Sequence, residues 1–150
     1  GTVLGGYLND RTSRSGLERP QYLSAGIMAI LIPSYAFTFW APSAPLALGG
    51  ILVSAALVSS TTPITLTTLL NLSPSDMRAT ATAINTLVVS ILGIGLAPVV
   101  IGALSDTLNA YLGSEALRLA LTSALLVCIA GIFIHYRTAV AMRAENVGLE

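Results

Sequence analysis

From Pro20 to Ser75 the chain reads PQYLSAGIMAILIPSYAFTFWAPSAPLALGGILVSAALVSSTTPITLTTLLNLSPS, without one Asp, Glu, Lys or Arg. Water does not call for such a gap. A hydrocarbon layer of roughly 30 Å does, because about 20 apolar residues at helical rise are needed to cross it and every backbone amide must bond within its own segment. The gap is long enough for two crossings. Its divider is Ala41-Pro42-Ser43-Ala44-Pro45, where two prolines remove backbone donors and disfavour helix at the residues before them. Similar charge-free stretches run from Ala79 to Ser105 and from Leu119 to Ile134. The expectation is an all-α membrane protein with four complete spans, approximately Tyr22–Trp40, Leu46–Leu70, Ala79–Leu104 and Leu117–Tyr136. A stub, Gly1–Leu8, precedes them and a cytoplasmic tail, 137–150, follows. The opening on Gly1 inside an apolar stretch reads as a fragment of a longer protein.

Composition agrees. Hydrophobic residues make up 54% of the 150 and charged ones 9%, with a mean hydropathy of +0.80. A water-soluble domain carries about 25% charged residues, so that class is excluded. The seven basic residues are balanced by seven acids, which leaves no basic surface for nucleic acid and no acidic disordered tail. A lone Cys128 and a lone His135 supply neither an internal disulfide nor a metal cluster, so no metal and no cofactor are expected. An intramembrane enzyme would need a nucleophile with its base, or paired acids within the spans; the chain reads as a non-enzyme.

Orientation follows from the arginines, which concentrate at cytoplasmic span ends. With the spans threaded alternately, Arg11, Arg14, Arg19, Arg78, Arg137 and Arg143 fall on one face and only Arg118 on the other, placing the C-terminus in the cytoplasm of a cell membrane. Phe37, Phe39 and Trp40 then close the first full span at the outer interface, and Tyr22 and Tyr136 sit at inner ends. His135, beside Tyr136, reads as an interface anchor. In Ser73-Pro74-Ser75-Asp76 a serine N-cap, a proline at the first helical position and an acid in the first turn announce the third full span. Ser114-Glu115 announces the last one more weakly.

The span from Ala79 to Leu104 stands apart. At 100° per residue Thr82, Thr86, Ser90, Gly93 and Ala97 share one sector, while Gly95, Pro98 and Gly102 share the opposite one. Small residues allow close helix approach in lipid, so this helix is expected in the interior, contacting protein or a cavity on both sides. Asn85, the only amide within a span, reads equally as a substrate contact or as an interhelical hydrogen bond. The span from Leu46 to Leu70 is rich in hydroxyls around Pro63. Either they form a polar cavity wall, with Thr62 among them, or they bond back to their own helix carbonyls. The first and last full spans carry mostly bulky apolar side chains and suit a lipid-facing position.

At the end of the stub stands Gly6-Tyr7-Leu8-Asn9-Asp10-Arg11-Thr12-Ser13-Arg14, a G-x-x-x-D-R-x-x-R string. Glycine permits a close neighbour, a carboxylate can meet another helix's N-terminal amides, and arginines can hold a short loop by charge-assisted bonds. This string resembles the motif of the major facilitator superfamily in the loop between its helices 8 and 9. Arg78-Ala79, Ala83, Asn85, Gly93, Gly95, Pro98 and Gly102-Ala103-Leu104-Ser105-Asp106 are similar to helix 11 of the spinster-like branch, with Ala97 where that branch usually has glycine. The G-x-L-polar-D pattern occurs both at Gly6–Asp10 and at Gly102–Asp106, on opposite faces in the threading, as an inverted repeat would place it.

The resemblance implies the C-terminal part of a twelve-helix secondary transporter, from the end of helix 8 to helix 12, working by alternating access. Gly6, Asp10, Arg11 and Arg14 would form the cytoplasmic gate. Asn85, Thr86, Ser90 and Thr62 would line the substrate cavity, and Gly93, Gly95, Pro98, Gly102 and Asp106 would serve helix packing or a hinge. The implied partners are the bilayer, the N-terminal half of the same chain and a small-molecule substrate. That substrate is amphipathic, of the lysolipid or sphingoid type, or an organic anion moved with a cation, by symport or antiport. A non-transporting scaffold or sensor is the alternative.

Overall fold

A computed structural model describes residues 1–14, 16 and 18–147, with side chains described as far as Ala144. The described chain is helical throughout, with no strand among the described residues. Helices α1 (Thr2–Ser13), α2 (Arg19–Phe39) and α3 (Ala44–Leu72) come first. Next follow α4 (Arg78–Val88), a π-helical segment (Val89–Leu96) and α5 (Ala97–Leu112). A 3₁₀ turn (Gly113–Glu115), α6 (Ala116–Ser123) and α7 (Leu125–Val147) complete the order. Three helical stretches are long and apolar enough to cross a membrane: Arg19–Phe39, Ala44–Leu72 and Arg78–Ala144. The last, at 67 residues, contains both the 79–104 and the 117–136 segments. Of the expected tail, residues 148–150 lie outside the described residues, and 137–147 continue α7 as helix.

The chain forms two compact units. The first comprises residues 1–65 together with residues 125 onward. Helix α2 starts with Pro20 in its first turn, where a missing N–H is harmless, and ends as Trp40 N–H reaches Ala36 O at 3.1 Å. Helix resumes at Ala44, with Ala47 N–H on Ser43 O at 3.0 Å, so the break falls within the Ala41–Pro45 divider. Pro33 and Pro63 lie inside α2 and α3 without ending either helix.

Polar and small side chains hold this unit together. Ser34 and Ser54 share a hydrogen bond of 2.9 Å between α2 and α3, and a Cβ on Gly50 would strike the Thr38 hydroxyl. A Cβ on Gly5 would strike the backbone of Ser60, which brings α1 hard against α3. Between α2 and α7, Gly131 faces the Met28 sulfur, and Tyr22 meets Tyr136 edge-on with ring centroids 5.8 Å apart. Ile27, Leu31, Ile64, Leu125, Ala139 and Met142 are buried. The outward faces of α2 and α7 expose Ile30, Phe37, Leu126, Val127, Phe133 and Ile134, as suits helices bordered by lipid.

The second unit is residues 66–124. Here α4, the π segment and α5 form one continuous helical rod, and Gly113 (φ 53°) occupies a backbone region that favours glycine and turns the chain. Helix α6 packs back on α5 and buries Ala116 and Ala120. Neither expected N-cap forms. Helix α4 starts at Arg78 with Met77 before it and no side-chain cap, because Ser73 Oγ instead donates to Leu69 O at 2.7 Å, at the end of α3. Pro74 to Met77 make a turn closed by Met77 N–H on Pro74 O at 3.0 Å. Glu115 does not cap α6 through its side chain either; its carboxylate pairs with Arg118 at 3.2 Å on the exposed surface, where such a pair contributes little.

Candidate functional site

The gate string lies on helix rather than in a loop. Thr12 Oγ1 bonds back to Leu8 O at 2.7 Å, no breaker intervenes before Gly16, and α1 therefore carries Asp10 and Arg11, with Arg14 at its C-cap still in the right-handed helical region. Positions 7, 10, 11 and 14 recur at three- and four-residue spacing, so they share one face. Tyr7, Asp10, Arg11 and Arg14 together line an open hollow of about 330 Å³. All four side chains are exposed, and among the described residues Asp10 and the two arginines form no ion pair. The carboxylate and both guanidinium groups are thus presented outward, in a form that can accept a partner. Among the described residues Gly6 has no close neighbour. Nothing lies within 4 Å of a Cβ built there; the glycine that meets a neighbour is Gly5, one residue earlier and 100° around the helix.

The second candidate face runs along α4 into the start of the π segment. Thr82, Thr86 and Ser90, with Ala79, Ala83, Leu87 and Ile91, line an open hollow of about 810 Å³. The structure brings Thr86 and Ser90 together here. Asn85 is half-exposed beside this wall but does not line it, and Thr62 is exposed on α3 in the other unit. Thr82 Oγ1 donates to Arg78 O and Thr86 Oγ1 to Thr82 O, each at 2.9 Å. Those two hydroxyl protons are engaged by their own helix, whereas the Ser90 hydroxyl and Asn85 amide have no hydrogen-bond partner among the described residues. On α3 the same back-bonding holds Ser60 to Ala56 O, Thr61 to Val58 O and Thr65 to Thr61 O. The self-bonded reading therefore describes these three residues.

The single sector expected for Thr82, Thr86, Ser90, Gly93 and Ala97 does not exist as a continuous stripe. A π-helix bonds five residues back rather than four, so a 100° wheel drawn through Val89–Leu96 loses register, and the lined hollow stops at Ser90 and Ile91. Gly93 and Gly95 lie inside this segment, Pro98 in the first turn of α5, and Gly102 and Asp106 further along α5. A Cβ at Gly102 would meet nothing within 4 Å, and at Gly93 and Gly95 only ordinary contacts of 4.0 and 3.5 Å. Within the described residues these glycines are not packed against another helix.

One polar cluster carries no formal charge. His135 Nδ1–H donates to Gln21 Oε1 at 2.6 Å, and His135 Nε2 stands 3.5 Å from Ser24 Oγ, with Gln21 and Ser24 both buried. His135 is therefore an interhelical contact in the body of α7 rather than an anchor at a helix end. The signal in the sequence is Gln21 and Ser24, three apart on a helix otherwise apolar on that face; since both are neutral, a search for charge gaps passes over them. Its ring nitrogens being taken up by α2, this histidine orders two helices and presents no free base. Among the described residues no three of His, Cys, Asp and Glu come together as a metal cage would require.

No protein-family profile, no curated protein and no solved structure matches this chain.

Proposed function

We propose that the chain is the C-terminal part of a secondary transporter of the major facilitator type, spinster-like in its helix 11, that moves an amphipathic or organic-anion small molecule by alternating access. On this reading the helical stretches cross the membrane four times after α1, since the third stretch reverses at Gly113. The arginine-bearing ends and the C-terminus then face the cytoplasm of the cell membrane. The observation that carries the reading is the outward-facing set Tyr7, Asp10, Arg11 and Arg14 at the C-terminal end of α1. Charged groups at a helix end that make no bonds among themselves are poised for a partner element, and a latch that must open and close requires such reversible contacts. Asp10 would meet a helix N-terminus in the other half of the transporter, with Arg11 and Arg14 flanking it.

The wall of Thr86 and Ser90, with Asn85 beside it, would face the cavity, where substrate sits near mid-membrane between two halves. No acid lies within the apolar segments, so a carboxylate for ion coupling would belong to the N-terminal half. Gly93, Gly95, Pro98, Gly102 and Asp106 would form the part of helix 11 that faces or flexes against that half. The test is uptake of a labelled lysolipid and of a labelled organic anion into vesicles carrying the intact transporter. One of the two should accumulate, and Asp10→Ala should reduce its rate at least about tenfold, the loss of roughly one charge-assisted contact, while membrane insertion is unchanged. Accumulation of neither compound favours a scaffold or sensor; full transport by Asp10→Ala refutes the latch.

A further inference from the structure

The eight residues Val89–Leu96 form a π-helix inside the most apolar rod of the molecule. Wide turns of this kind are rare, usually a single turn long, and concentrate where a helix has work to do. Three features make this one convertible. At its start Val89 N–H reaches both Asn85 O and Thr86 O, the bonding of a regular helix end, whereas at its finish Ala97 N–H reaches back five residues to Leu92 O. Pro98 follows immediately and has no N–H, so the next bond in either pattern is absent and the junction is not fastened from the α5 side. Gly93 and Gly95 have open surroundings, with only Val89 Cγ1 at 4.0 Å and Ser90 O at 3.5 Å from a Cβ placed on them, so no packed side chain holds the wide turn in place.

We infer that Val89–Leu96 is a register switch: its conversion between π and α bonding rotates the α4 face bearing Thr82 and Thr86 relative to α5. A wide turn holds one residue more than an α turn, so each turn that rewinds displaces the side chains beyond it by one position, about 100° around the axis. Gly102 and Asp106 on α5 then change their angular relation to Thr82 and Thr86 on α4 without either helix unwinding. The switch acts within residues 66–124 and does not depend on which compound, if any, is carried.

The test uses the full chain in phosphatidylcholine vesicles, with Cys128→Ser as background and spin labels on Thr80→Cys and Asn109→Cys, two exposed positions on α4 and α5. The distance distribution between the labels should show two populations. Gly93→Ala combined with Gly95→Ala should shift it severalfold toward one of them, because alanine favours the regular helix over glycine. A single distance in the unsubstituted segment overturns the switch, and so do two distances whose ratio the alanines leave unchanged. Neither measurement involves transport, so failure of the switch is separable from failure of the transporter reading.

Discussion

Small residues occur throughout the chain, but among the described residues the glycines that press on another helix fall in the first unit, where Gly6, Gly26 and Gly49 nonetheless meet nothing within 4 Å. In residues 1–65 and 125 onward, Gly5 lies on the Ser60 backbone, Gly50 on Thr38 and Gly131 on Met28, and hydroxyls or amides join the same helices at Ser34–Ser54 and Gln21–His135. In residues 66–124, Gly93, Gly95 and Gly102 meet nothing closer than ordinary contact distance, and Val89, Ile91, Leu92, Ile94 and Val99 beside them are exposed. A glycine in an apolar helix can thus be a used contact or an open one, and its identity alone does not say which. The surroundings of its missing side chain do.

Substitutions can break that contrast. The largest effect should come from Gly5→Val, since the added carbon meets backbone atoms of Ser60 that cannot swing aside. Overpacking of that kind costs about 1–3 kcal/mol, read as a lowered thermal unfolding midpoint in detergent micelles. An unchanged midpoint would mean that α1 does not rest on α3. Smaller is the contribution of the His135–Gln21 bond. Interhelical polar pairs in membranes average about 0.6 kcal/mol, with a maximum near 1.7, and a double-mutant cycle of His135→Ala with Gln21→Ala should return a coupling in that range. Zero coupling would remove this pair from the polar side of the comparison. Least of all should be Gly102→Ala. With open space around it the change should stay within about 0.5 kcal/mol, and a larger loss would reveal a close neighbour on that face of α5.

Much of the helical layout was legible because formal charge is so costly in hydrocarbon that its absence marks each apolar segment. Proline supplied the break between α2 and α3. Helix ends were harder. Helix α2 starts three residues before its apolar boundary but stops at Phe39, one short of Trp40, and α3 extends two residues at each end, since Pro20 and Ala44 are compatible with a first turn. The capping signal at Ser73 misled for a specific reason: a serine between two helices can serve either, and here its hydroxyl reaches the carbonyl behind it. Of the candidate site, the spacing of Asp10, Arg11 and Arg14 was readable, and their shared face follows from it. The choice between Gly5 and Gly6 was not, because two adjacent glycines look alike until the facing helix is placed. The register loss at Val89 was equally invisible, since a helical wheel assumes the uniform turn that the π segment violates.

The Ser60 hydroxyl has one proton and two carbonyls to give it to, Ala56 O at 2.7 Å in its own helix and Gly1 O at 3.0 Å at the N-cap of α1. The Gly1 carbonyl is likewise twice provided for, because Gly5 N–H also reaches it at 2.8 Å. Parting the two helices at this seam would therefore strand neither this donor nor this acceptor. It is a clasp with a fallback on each side.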